Sequence, residues 1–165
     1  MNSNNATHNE RIFVTGPGGA GKSTYAKRIA EQKSLPYYEL DHIRWPDRTK
    51  LPDEIFRKKL RKIVSDDSWI IDGTLKSTQD IIFPRCTKII VLTASRATCM
   101  YRALSRTIKR LLKLEDSFVF NDFEHLFSKD FIVIRVWRHY PRYMRQLEEA
   151  LNDTPHSAEV EKKRI

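Results

Sequence analysis

Cysteine is scarce. Cys86 and Cys99 are the only two in 165 residues, too few for a zinc-binding set. A chain of this length buries about 70% of its unfolded surface and needs no staple, so two reduced thiols are the expected state. Long apolar runs are also missing. The most apolar late stretch, Phe131-Ile-Val-Ile-Arg-Val-Trp137, is short and carries Arg135, which excludes a membrane span there. The segment after Met1, Asn-Ser-Asn-Asn-Ala-Thr-His-Asn, is polar and has no signal-peptide core. A cytoplasmic location and no membrane partner are therefore expected. Acid is in deficit, with 21 Asp+Glu against 30 Lys+Arg and a net charge of +9. That imbalance favours anionic partners: phosphorylated metabolites, nucleic acid or acidic lipid. Neither repeats nor low-complexity segments occur.

What is present is a globular composition, 40% hydrophobic and 31% charged. Residues 1–10 read as a flexible tail. Arg11–Thr15 is a β-branched and aromatic run that predicts a strand. A glycine-rich turn at 16–21 leads into a helix over 22–33, with Tyr25, Ala26, Ile29 and Ala30 at helical spacing. Tyr37–Leu40 predicts a second strand, ending at Asp41. A helix over 53–65 turns Ile55, Phe56, Leu60, Ile63 and Val64 inward and leaves Arg57, Lys58, Lys59, Arg61 and Lys62 on its wet side. Trp69–Ile71 predicts a third strand, closed by Asp72-Gly73, and Lys88–Thr93 a fourth. Between them 78–83 forms a short helix. The remainder reads as helical: 95–113, a short turn at 121–127, and 129–151 with Pro141 as a kink or break. Core aromatics Trp137, Tyr140 and Tyr143 alternate there with Arg135, Arg138, Arg142 and Arg145. The polar stretch 152–165 reads as a frayed tail, leaving one domain over 11–151. Strands alternating with helices predict an α/β fold, a parallel sheet covered on both faces.

Gly16-Pro-Gly-Gly-Ala-Gly-Lys22-Ser23 fits the phosphate-loop (Walker A) pattern without a mismatch. Gly16, Gly18, Gly19, Ala20 and Gly21 let successive amides face a phosphate. The helix beginning at Lys22 adds its positive end. Lys22 is expected on the β- and γ-phosphates, Ser23 on Mg²⁺ and Thr24 near the α-phosphate. A nucleoside triphosphate with Mg²⁺ is thus the expected ligand, and the loop itself does not choose ATP over GTP. The base signature of GTPases, Asn-Lys-x-Asp, is absent. The fourth strand ends without an acid, whereas the third ends at Asp72, the candidate Mg²⁺ partner acting through water. Asp-Gly is also a common turn pair.

Asp41, Arg44 and Trp45 follow the second strand, where a parallel sheet presents its ligand crevice. Asp41 is a candidate to take an acceptor's hydroxyl proton or hold Mg²⁺, Arg44 to bind an anionic substituent, and Trp45 to stack on a base. Capping, solvation and packing are the plain alternatives for these three. From Arg96 to Lys113 there are six basic residues and no acid. Arg102, Arg106 and Arg110 lie four apart on one helix face. Such a stripe would clamp a transferring phosphoryl group, contact a nucleic-acid backbone, or be solvated.

The phosphate loop, Leu35-Pro-Tyr-Tyr-Glu-Leu-Asp41, Arg44-Trp45, Trp69-Ile-Ile-Asp-Gly73, Ser77-Thr78 and the arginine-rich segment together resemble the topology modulation (FlaR-like) proteins. These are an adenylate-kinase-like P-loop family. The resemblance covers about residues 11–145. It implies a three-layer P-loop fold with strand order 2-3-1-4-5 and a helical arginine-rich lid, here about 96–128. It implies that Asp41-His-Ile-Arg44 holds the acceptor. It also implies that Asp72-Gly-Thr-Leu-Lys76 stands for an Asp-Gly-x-x-Arg element, with Lys76 as a point charge in place of a bidentate grip. Arg102 would open the lid, with Arg106 beside it. No fifth strand is evident near the C-terminus. The resulting expectation is a phosphotransferase moving the γ-phosphoryl of ATP to a small nucleoside, nucleotide or other hydroxylated metabolite. A nucleotide-dependent DNA- or RNA-binding or regulatory protein without turnover is the alternative.

Overall fold

The computed structural model describes residues 9–74, 78–111, 132–153 and 157–165. Five strands form one sheet: β1 (Arg11–Thr15), β2 (Tyr37–Glu39), β3 (Trp69–Asp72), β4 (Lys88–Thr93) and β5 (Glu159–Arg164). Every pairing is parallel and the order is β2-β3-β1-β4-β5. The expected 2-3-1-4-5 arrangement is thus present. The helices are α1 (Lys22–Lys33), α2 (Leu40–Arg44), α3 (Asp53–Val64), α4 (Gln79–Ile82), α5 (Arg96–Leu111) and α6 (Ile132–Asp153).

Alternation along the strands builds the three layers, because successive side chains point to opposite faces. Phe13, Ile71, Ile89 and Val91 pack with Phe56, Leu60 and Val64 of α3 and Leu147 of α6 on one face. Ile12, Val14, Ile70, Ile90 and Leu92 pack with Tyr25, Ala26 and Ala30 of α1 and Cys99 of α5 on the other. Both faces of the central strands are dry, as a parallel sheet requires. Both cysteines are buried and free. No described helix is long and apolar enough to cross a membrane.

Five readings change, the first being that Trp137, expected as a core aromatic, is 49% exposed. The stretch expected as a frayed tail holds β5, paired residue for residue with β4 from Lys88↔Glu159 to Thr93↔Arg164. Its side chains are almost all exposed, so no apolar period marks it. Backbone bonds hold it instead, with Glu159 donating to Thr87 at 3.0 Å and Ile165 to Thr93 at 2.8 Å. Lys88 adds ion pairs to Glu161 at 2.8 Å and Glu159 at 3.5 Å. The second strand stops at Glu39, and Leu40 opens α2 instead. Leu40 is drawn inward by the core, where it lies so close to Gly73 that a Cβ there would meet its side chain at 2.5 Å. Ile55 is 47% exposed rather than inward, since Phe56, Leu60 and Val64 already fill the buried stripe of α3. Pro141 does not break its helix: α6 runs through it. The segments 1–8, 75–77, 112–131 and 154–156 lie outside the described residues, and with them the expected turn at 121–127, much of the expected lid and Lys76.

Candidate active site

Four of the chain's five glycines lie between residues 16 and 21, and two are dictated by contact as well as by angle. Gly16 has φ 149° and a Cβ there would stand 2.1 Å from the Leu92 carbonyl oxygen. Gly19 has φ 82° and a Cβ there would stand 2.4 Å from the Cys99 carbonyl. The loop therefore curls tightly over the end of β4 and the start of α5, a path open only to glycine. Gly18 has open space around it. Ala20 is fully buried and pins the underside of the loop. Gly21 ends the curl at φ 85° and caps α1 without a side-chain hydrogen bond, and the first turn of α1 holds no acid. The amides at that end of the helix are thus left for an anion.

Lys22 folds back to donate to the Pro17 carbonyl at 3.1 Å. Burial pushes its ammonium below the ordinary lysine value, and the nearby carboxylates of Asp72 and Asp41 oppose that shift. The Ser23 hydroxyl donates to Asp72 Oδ2 at 2.7 Å. Tyr37 donates to the other oxygen, Oδ1, at 2.8 Å. Burial raises the Asp72 carboxyl, while these two hydrogen bonds and Lys22 act against it. Asp72 is 1% exposed. It is therefore a buried acid aimed at the phosphate-loop serine rather than a turn residue alone.

The loop opens onto a cleft of about 340 Å³ lined by Lys22, Ser23, Thr24, Tyr101, Arg102, Ser105, Arg106 and Lys109, among others. Arg102 stands over the loop, its guanidinium 3.5 Å from where a Gly21 Cβ would lie. Arg106 is close enough to depress Lys22. The structure brings these two arginines to the loop as expected. The side chain of Arg110 lies outside the described residues.

The β2 side is arranged differently. Asp41 is exposed in the first turn of α2 and acts electrostatically on Lys22, Glu39 and Asp72. Arg44 ion-pairs with Asp53 and lies over the Phe56 ring at 4.8 Å, so it fastens α2 to α3. That partner holds the Asp53 carboxyl below its ordinary value. Trp45 is half-buried, with the Lys50 ammonium over its ring at 5.9 Å.

Three residues here carried no role in the sequence reading. Glu39 sits opposite Asp72 in the β2–β3 register. Burial raises its carboxyl, with Asp72 and Asp41 adding repulsion, and His42 approaches it at 3.5 Å. Tyr37 is the second donor to Asp72. Tyr143, read only as a core aromatic, brings its hydroxyl to the mouth of the phosphate loop. The strand pattern around Asp72 was the one available signal for Tyr37 and Glu39, because pairing register decides which residues flank a strand end. Nothing local marks Tyr143, which meets β1 across 128 residues of chain.

No protein-family model matches the chain, and no curated protein matches it. Among solved structures, an unliganded sugar kinase from a Janibacter species superposes with a TM-score of 0.51 at 20% identity, over 93% of this chain and 84% of that one. A shikimate kinase from Bacteroides thetaiotaomicron gives 0.51 at 18% identity, over 87% of this chain and 94% of that one. At such identities the likeness is one of fold. With the strand order and the loop already described, it shows a three-layer α/β P-loop fold that these kinases share. The narrower resemblance to topology modulation proteins is not among these findings.

Proposed function

We infer that this chain is an ATP-dependent phosphotransferase acting on a small acceptor that carries a hydroxyl or phosphate. The observation that carries the reading is the Ser23–Asp72 hydrogen bond of 2.7 Å, which joins the phosphate loop to a buried acid at the carboxyl end of β3. The loop amides and Lys22 would hold the β- and γ-phosphates. Ser23, and Asp72 through water, would hold Mg²⁺ with hard oxygen atoms of the kind it takes. Among the described residues no three His, Cys, Asp or Glu side chains form a metal-binding group. When bound, Mg²⁺ would neutralise triphosphate charge.

Asp41 would orient the acceptor and accept its proton. The acceptor oxygen would then bond to the γ-phosphorus as the bond to the β–γ bridging oxygen breaks and ADP departs. Arg102 and Arg106, standing over the loop, would neutralise charge on the transferring group. The catalysis is positioning and electrostatics. Lys76, outside the described residues, would add a further cation on the acceptor side, and Arg44 and Trp45 would shape the acceptor-facing loop.

The test is a mass-spectrometric screen for phosphorylated products from a metabolite mixture with ATP and Mg²⁺. New products are expected with the wild type and none with Lys22→Ala. Identical product profiles for the two proteins would refute phosphotransfer by this site.

A further inference from the structure

The end of β1 carries a hydrogen-bond chain whose direction follows from its donors. Thr15 is fully buried. Its hydroxyl donates to the Gly73 carbonyl at 3.0 Å and lies 2.8 Å from the Tyr143 hydroxyl. A threonine hydroxyl has one proton. That proton is directed at Gly73, so Tyr143 donates to Thr15. The Gly16 amide in turn donates to the Tyr143 oxygen at 3.3 Å. The chain therefore runs one way: Gly16 N–H to Tyr143, Tyr143 O–H to Thr15, Thr15 O–H to Gly73. It links the first amide of the phosphate loop to the residue after Asp72.

The ring that supplies the middle link comes from elsewhere in the molecule. Tyr143 sits on α6 and packs against the core face beneath β1. One turn earlier, Tyr140 donates to the Ala94 carbonyl at 2.8 Å, where β4 hands over to α5. These two hydroxyls fasten α6 to the carboxyl ends of two neighbouring strands, and the Tyr143 hydroxyl also meets the first amide of the loop. Gly16 is held between that hydroxyl and the Leu92 carbonyl behind it.

We propose that Tyr143 is a positioning residue for nucleotide binding, its hydroxyl setting the start of the phosphate loop relative to Asp72. The proposal rests on the phosphotransferase reading for its nucleotide. Tyr143→Phe keeps the ring in the core and removes the middle link. Gly16 then loses its acceptor and the loop is free to shift against the Ser23–Asp72 pair.

The test uses the full chain with a non-hydrolysable ATP analogue and Mg²⁺, together with amide hydrogen exchange in the absence of nucleotide. Tyr143→Phe should weaken analogue binding about tenfold and strip protection from the Gly16 amide. Tyr140→Phe removes the companion tether and should change neither. Thr15→Val combined with Tyr143→Phe should weaken binding less than the sum of the single effects, since both cut one chain. Wild-type affinity and a protected Gly16 amide in Tyr143→Phe would overturn the proposal. So would equal losses in Tyr143→Phe and Tyr140→Phe, which would mean that both hydroxyls merely dock the helix. If the wild type binds no analogue, the nucleotide reading fails, and exchange at Gly16 still decides whether Tyr143 holds the loop.

Discussion

Gly16 and Gly18 sit two residues apart in one loop and should respond very differently to the same change. Gly16→Ala forces a Cβ into the Leu92 carbonyl at a left-handed φ, and should cost about 3 kcal/mol or more of unfolding free energy. Gly18→Ala meets nothing within 4 Å and should leave urea unfolding within about 0.5 kcal/mol of wild type. Asp72 behaves as a strained charge. Burial holds its folded pKa above the ordinary carboxylate value. Its contribution to stability is therefore most favourable below that ordinary value and is lost as pH rises through the raised one. At neutral pH this group therefore costs stability. Asp72→Asn should accordingly raise the melting temperature at pH 7 while lowering Mg²⁺-dependent turnover, a trade expected where a site keeps a buried acid for its chemistry. A melting temperature that falls, with turnover intact, would count against this role.

At the scale of elements, legibility followed burial. The ends of α1 were readable because Gly21 and Lys22 mark its start and its apolar face repeats at helical spacing. The three central strands were readable because both faces are dry. β5 was not, since a charged edge strand carries no hydrophobic period and is recognised only by the strand it joins. Leu40 misled for a related reason: its apolar side chain suits a strand or a short helix equally, and packing against Gly73 decided. The Lys88–Glu161 pair makes the edge testable. Lys88 holds the Glu161 carboxyl below its ordinary value near 4.5. That contribution is present above this value and is lost as pH falls through the lowered one. Glu161 in turn raises Lys88 above 10.5, a contribution present below that value and lost as pH climbs through the raised one. Exchange protection factors for residues 160–164 should therefore hold between these limits and drop in acid. Lys88→Met should show the lower protection already at neutral pH. Protection that is flat with pH and unchanged in Lys88→Met would assign the edge to backbone bonds alone.

For the whole molecule, the phosphate loop was legible in the sequence, while the five-strand order and Arg102 and Arg106 as lid residues came from the family resemblance. The capture of Arg44 by Asp53 and the reach of Tyr143 across the core were not legible. Both depend on elements distant in sequence that only the closed fold brings together. The net charge of +9 bears on partners in the same way. Arg102, Arg106 and Lys109 line the cleft above the phosphate loop, which places part of that charge where a triphosphate would lie. Duplex DNA or RNA should bind weakly at physiological salt, as any basic surface binds a polyanion, with affinity falling as salt rises. Sequence-specific nanomolar binding would instead support the nucleotide-dependent nucleic-acid reading. The central claim is that the curled loop grips a triphosphate, and isothermal titration with a non-hydrolysable ATP analogue and Mg²⁺ tests it most directly. Saturable one-to-one binding, weakened about a hundredfold or more by Lys22→Ala, is the predicted result. Absence of binding, or equal affinity in wild type and variant, would contradict it.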